Sequence, residues 1–168
     1  DSQLEGDVTI DYSGLELSSL REGAKYDLSI SSDQFLVSDV RYFYPGIETF
    51  SEPVTIQGKL DGQLPAIHLP QLEINYGNDL KLKATADFAD INEWKTSELA
   101  VNLEQLYITN SLVSKVMKFS TEGDNISTLP VNLDVLTANG SISGSVPDFD
   151  LSLQASADKS TLDLKGRA

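Results

Sequence analysis

The sequence has no cysteine and only one histidine, one tryptophan and one methionine. Without cysteine there is no disulfide and no thiolate metal site. That absence does not set a compartment, although it suits an exported bacterial protein that avoids stray disulfides. Positive charge is also scarce: 12 Lys and Arg face 26 Asp and Glu, a formal net charge of −14. A surface this acidic repels phosphate backbones, so nucleic acid is not an expected partner. It also repels anionic head groups, which argues against flat adsorption on a bilayer. No apolar run approaches the roughly 20 residues that cross a membrane as a helix, and no signal peptide is visible. Phosphate loop, nucleophile elbow and zinc pattern are all missing. No enzyme is expected, and no catalytic residue, cofactor or metal.

What the chain has is alternation. From 54 to 88 (VTIQGKLDGQLPAIHLPQLEINYGNDLKLKATADF) apolar residues recur at every second position. The runs are Val54, Ile56, Gly58 and Leu60; Ile67 and Leu69; Leu72 and Ile74; and Leu80, Leu82, Ala84, Ala86 and Phe88. This period marks strands with one dry and one wet face. The pattern resets at Gly62, Pro65, Pro70 and Tyr76-Gly77-Asn78-Asp79, where turn chemistry sits. A meander of short amphipathic strands is expected here.

The same texture extends along the chain. Residues 1–12 read as a strand with Leu4, Val8, Ile10 and Tyr12 on one face, and Leu15 and Leu17 start another run. Residues 18–23 read as a turn or one helical turn. Tyr26, Leu28 and Ile30 alternate, then Phe35 and Val37, then Val40, Tyr42 and Tyr44, with 46–53 as a connector. Residues 89–94 lose the period and read as a loop carrying Trp94. Leu99, Val101 and Leu103 resume a strand reaching toward Ile108. Residues 110–119 differ: Leu112, Val113, Val116 and Met117 form a helical stripe, with Asn110 or Ser111 as N-cap. After a polar loop at 120–130, strands are expected at 131–138, 140–146, 149–157 and 161–167. About a dozen short strands and one helix make an all-β chain with antiparallel connections.

Residues 54–69 align without a gap to 136–151, at an offset of 82 positions. Gly58 meets Gly140, Gly62 meets Gly144, Pro65 meets Pro147, and Leu80 and Leu82 meet Leu162 and Leu164. Two glycines and a proline in register favour a true repeat, 54–88 with 136–168. Such units extend a sheet along one axis. With 168 residues the chain is long enough for one domain with a core. It starts and stops in mid-pattern, so 1–168 is expected to be a single β-rich repeat segment of a longer protein.

One-sided strands need a cover, because a large bare apolar face is not tolerated in a soluble monomer. Two sheets can bury each other in a β-sandwich. Alternatively, one sheet folds into a U and lines a groove. The small residues Ala84, Ala86, Gly140, Gly144, Ala155 and Ala157 leave space for a groove, yet fit close sheet packing equally well. Periodicity does not choose.

The run Val-x-Ile-x-Gly-x-Leu-x-Gly (54–62), the segment Pro-x-Leu-x-Ile-x-Tyr-Gly-Asn-x-Leu-x-Leu (70–82), Phe-Ala-Asp (88–90) and the short helix together resemble one known family. It is the repeating β-rich periplasmic region of the TamB/AsmA-like family, especially its Bacteroidetes-type versions. The resemblance spreads over 4–167 and is densest from 53 to 119. It implies a Gram-negative protein anchored in the inner membrane and crossing the periplasm as an elongated, taco-shaped hydrophobic β-groove. It further implies phospholipid transport toward the outer membrane, and outer-membrane protein assembly with a partner barrel of the Omp85 type. The family brings no short binding motif to transfer.

The lesser signals have bland readings. His68 lies on a wet phase between Ile67 and Leu69, as an ordinary exposed side chain. Glu122, Asp124 and Asn125 lack the spacing of a calcium loop. Trp94, Tyr42 and Tyr44 could stack on sugars, but core or rim anchoring is commoner. Asn125-Ile126-Ser127 and Asn139-Gly140-Ser141 match glycosylation sequons, and Asn139-Gly140 reads first as a hairpin turn. The stripe of Leu112, Val116 and Met117 is expected to fold back on the sheet edge or groove mouth.

The leading expectation is thus a groove that shields phospholipid acyl chains. Its candidate residues are Ile56, Leu60, Ile67, Leu69, Leu72, Ile74, Leu80, Leu82, Ala84, Phe88, Leu99, Val101, Leu103, Ile142, Leu151, Leu153 and Leu162. The alternative is a structural, adhesive or carbohydrate-binding β-sandwich.

Overall fold

The computed structural model describes residues 2–14, 16, 23–40, 50–93, 96–120, 134–145 and 148–167. Alternation becomes nine strands: β1 (Gln3–Asp11), β2 (Lys25–Leu36), β3 (Pro53–Gln63), β4 (Ile67–Tyr76), β5 (Leu80–Phe88), β6 (Leu99–Thr109), β7 (Val135–Ser145), β8 (Asp148–Ala157) and β9 (Ser160–Arg167). They form one open antiparallel sheet whose spatial order is the chain order. A 3-10 turn follows β2 (Val37–Val40), and one helix, α1 (Asn110–Ser120), links β6 to the segment before β7. The chain is all-β, repetitive and antiparallel. Among the described residues there is no second sheet, so the sandwich alternative does not form.

Among the described residues the strands are longer than the short ones expected. Several apparent breaks are β-bulges inside continuous strands. Pro70-Gln71 interrupts the alternation, yet β4 runs on: Leu69 pairs with Ala86 and Leu72 with Ala84. Similar shifts lie between Ser32 and Phe35 in β2 and between Leu103 and Leu106 in β6. A bulge inserts one residue and so restores the apolar phase that an odd spacing would lose.

Asn139-Gly140 is likewise no hairpin turn. Both residues lie inside β7, and Gly140 pairs with Leu103 on one side and Leu153 on the other. A Cβ on Gly140 would sit 2.3 Å from the Ser152 carbonyl oxygen and 2.9 Å from Leu153 Cα. Glycine stands there because the neighbouring backbone leaves no room for a side chain. The repeat partners β3 and β7 have the same bounds at the offset found in the sequence. Gly62 and Gly144, equivalent in the two copies, both adopt positive φ (143° and 126°), a region that favours glycine.

Burial is sparse. Ala24, Tyr26, Val54, Tyr76, Ala86 and Leu112 are the buried apolar residues. Among the described residues the buried cluster lies where α1 meets the sheet. Leu112 joins Val54 and Tyr76, flanked by Phe35, Val37, Phe50, Ile56, Ile74, Leu80 and Ile108. Phe50 meets the Tyr76 ring edge-on at 6.2 Å. The cap of α1 is Thr109, one residue before the expected Asn110 or Ser111. Its Oγ1 accepts the Leu112 N–H (3.3 Å) and donates to Asp79 Oδ1 (2.6 Å). That pair ties the helix start to the β4–β5 turn.

Replacing Gly140 by Ala should lower stability by about 1–3 kcal/mol through overpacking. Gly166→Ala, with open space around it, should leave stability unchanged. Urea titrations of the two variants compare them directly. Equal midpoints would show that the close approach at Gly140 does not matter.

Candidate functional site: an uncovered apolar face

Directly paired residues of an antiparallel sheet share a face. Tracing the pairs across the strands therefore places every candidate. The central row runs Gly6, Ile30, Gly58, Leu72, Ala84, Leu103, Gly140, Leu153, Leu164. Nearer α1 lies Ile56, Ile74, Leu82, Leu106, Ala138, Ala155, Leu162. Beyond it Val54, Tyr76, Leu80, Ile108, Leu136 and Ala157 form the row that meets the helix. On the other side Val8, Leu28 and Leu60 lead, past the β4 bulge, to Leu69, Ala86, Val101, Ile142 and Leu151. The outermost row holds Ile10, Tyr26 and Gly62, then Ile67, Phe88, Leu99, Gly144 and Phe149.

All the groove candidates read from the sequence fall on this one face. The register adds Leu4, Val8, Ile10, Leu28, Ile30, Leu106, Ala138, Phe149, Ala155 and Leu164. Leu106 lies beyond the bulge at Glu104, where simple alternation points the wrong way. The residues of β1 and β2 carried the right pattern, but their partner strands are set only by the register.

The face is not a closed core. Away from α1 its aliphatics are half-exposed, and toward the edges they are open: Val8 is 65% exposed and Leu162 56%. Leu4, Val8, Leu28, Ile30, Leu60, Leu69 and Leu72 line a hollow of about 410 Å³ beside Gly58. Ser32, the buried polar residue on this side, donates its hydroxyl to the Gln3 carbonyl and so adds no unpaired group. Tyr26 donates to the Ala66 carbonyl at 2.6 Å, and burial holds its hydroxyl pKa above the ordinary value.

The opposite face is polar and cross-linked. Lys83 meets Glu73 at 2.7 Å, a contact that holds the Lys83 pKa above its usual value. Lys59 lies between Asp27 (3.6 Å) and Asp61 (3.5 Å), and Arg167 donates twice to Asp148. His68 is exposed on this face, as its phase implies, and contacts Asp87. Exposed pairs of this kind add little stability each; of these, Lys83 and Glu73 are directly opposed across β4 and β5.

Among the described residues no three His, Cys, Asp or Glu side chains converge as a metal site, and no helix is long and apolar enough to cross a membrane. Leu15, Leu17, Tyr42, Tyr44, Trp94, the acidic loop at 122–125 and the sequon at Asn125 lie outside the described residues, as does the Met117 side chain. Comparison with protein-family models, with curated proteins and with solved structures finds no match.

An uncovered face makes a direct prediction. The native chain should bind an apolar fluorescent dye strongly, and Leu103→Glu with Ile142→Glu should reduce that signal several-fold while the circular dichroism stays β-rich. A closed core would instead unfold with two buried carboxylates. Unfolding of the double variant would therefore refute the open face.

Proposed function

We propose that the chain is a segment of a periplasmic lipid-transport and outer-membrane biogenesis protein, whose apolar β-face shields phospholipid acyl chains between inner and outer membranes. The observation that carries the reading is the continuous apolar face across all nine strands, most of whose aliphatics stay partly or largely exposed among the described residues. The TamB/AsmA-like resemblance of residues 4–167 supports the same reading. It also supplies its finer parts: the inner-membrane anchor elsewhere in a longer protein and an outer-membrane barrel as partner.

The mechanism is solvation. Each acyl CH₂ moved out of water is worth about 0.8 kcal/mol, so a continuous apolar floor suffices without specific contacts. Nine strands at a spacing of ~4.8 Å span about 38 Å. The ~30 Å hydrocarbon core of a bilayer holds two chains end to end. The face is therefore broader across its strands than a bilayer's hydrocarbon core is thick, which leaves room for more than one acyl chain. Half-exposed Leu, Ile and Val lose their remaining water when a chain lies over them, so protein and lipid both gain.

Photocrosslinking residues at Leu82 and Val101 should capture phospholipid in cells, while one at Thr85 on the polar face should not. Lipid should also be found by mass spectrometry of the purified chain. Crosslinks to protein alone, with no co-purifying lipid, would withdraw the transport reading.

A further inference from the structure

The end of the face under α1 is built differently from the rest. Leu112 is 4% exposed and anchors the helix on Val54 and Tyr76, while Val116, one turn on, is 46% exposed. Between helix and sheet remains a hollow of about 310 Å³. Val54, Ile74, Tyr76, Leu80, Leu112 and Val116 line it, with Val37 and Phe50 at its side. The lining is wholly apolar. The hollow is open to water on one side, so covering its apolar lining with hydrocarbon removes that area from water and is favourable.

We propose that this hollow is a blind seat for the methyl end of one fatty-acyl chain, with α1 as its roof. The inference rests on the lipid reading above and deepens it. Three observations select that occupant. The hollow is continuous with the row of Ile56, Ile74 and Leu82, so a chain lying on the face runs straight into it. Its size is at the lower limit of small-ligand pockets, ~300–1,000 Å³, enough for a chain end and too little for a head group with two chains. The described groups around this end of the sheet are mainly carboxylates. Glu52 packs on Gly77, Asp79 holds Thr109, and the Asp134 carbonyl accepts the Asn110 N–H, against Lys115 on the helix. An anionic head group is repelled there and a hydrocarbon end is not.

The roof is held at its start and lightly packed beyond it. The Thr109 N–H donates to the Asp79 carbonyl (2.9 Å), and the Thr109 hydroxyl to the Asp79 carboxylate. Leu112 is the buried contact among the described side chains of α1. The seat therefore stops a chain sliding along the face and sets its polarity: methyl end under α1, ester end over Leu103 and Val101.

The test uses the 168-residue chain with methyl NMR detection. The probe is lysophosphatidylcholine carrying one nitroxide, either beside the terminal methyl or beside the ester. The methyl-end label should broaden Leu112, Val54 and Leu80 several-fold more than Ile142 and Leu151. The ester-end label should reverse that order. Val116→Trp, an exposed position that tolerates the larger ring, should fill the seat and abolish the difference. Equal broadening of the face by both labels would overturn the seat while leaving the lipid-facing reading intact. A bias that survives Val116→Trp would also overturn the seat. No broadening by either label would overturn both.

Discussion

Everything in this protein depends on keeping one parity along nine strands. A residue that slips by one position in a strand moves its side chain to the opposite face. Here that would put Leu72 or Ile142 among the lysines and aspartates and leave Glu73 or Ser141 in the apolar rows. The pairing avoids this with bulges in β2, β4 and β6, each placed where the apolar spacing is three instead of two. On the far side, Lys83 and Glu73 are directly opposed and oppositely charged, which agrees with that register. Bulges also increase local twist, so the devices that preserve parity shape the sheet as well.

Parity alone does not close a core. A single sheet has two faces, and among the described residues the buried cluster on the apolar one lies beside α1, with Tyr26 and Ala86 buried singly elsewhere. The remaining aliphatics are held half-exposed by their own neighbours within the sheet. Such a surface is thermodynamically unsatisfied, since roughly 25 cal/mol is gained for every Å² of apolar area removed from water. The net charge of −14 opposes self-association through that surface, because two copies repel each other.

The repeat shows how the architecture can be extended. β3 and β7 share length and register, and both end near a glycine of positive φ. Each copy adds strands with the same apolar side, so the face grows along one axis while its width, the strand length, stays constant. Contacts run mainly between sequence neighbours. The sheet is therefore held together pair by pair, as repeat architectures are. The helix after β6 is what distinguishes one end of the strands from the other.

The sequence alone determined the all-β class, the dry and wet phases, the short helix and which apolar residues share a face, because side-chain alternation is a local property of extended backbone. Pro70 and Asn139-Gly140 misled that reading. A proline in a bulge and a proline in a turn look alike in one dimension, and a glycine required by a neighbouring backbone looks like a glycine required by a turn. Thr109 was missed as the cap because its second partner, Asp79, lies 30 residues away along the chain, in the turn before the neighbouring strand. Only the tertiary structure decided that the strands form one open sheet instead of two facing ones, that β1 and β2 join the same apolar face, and that α1 roofs one end of it. Those choices depend on which strands pair and in what register, and hydrogen bonds between distant segments leave no periodic trace in the chain.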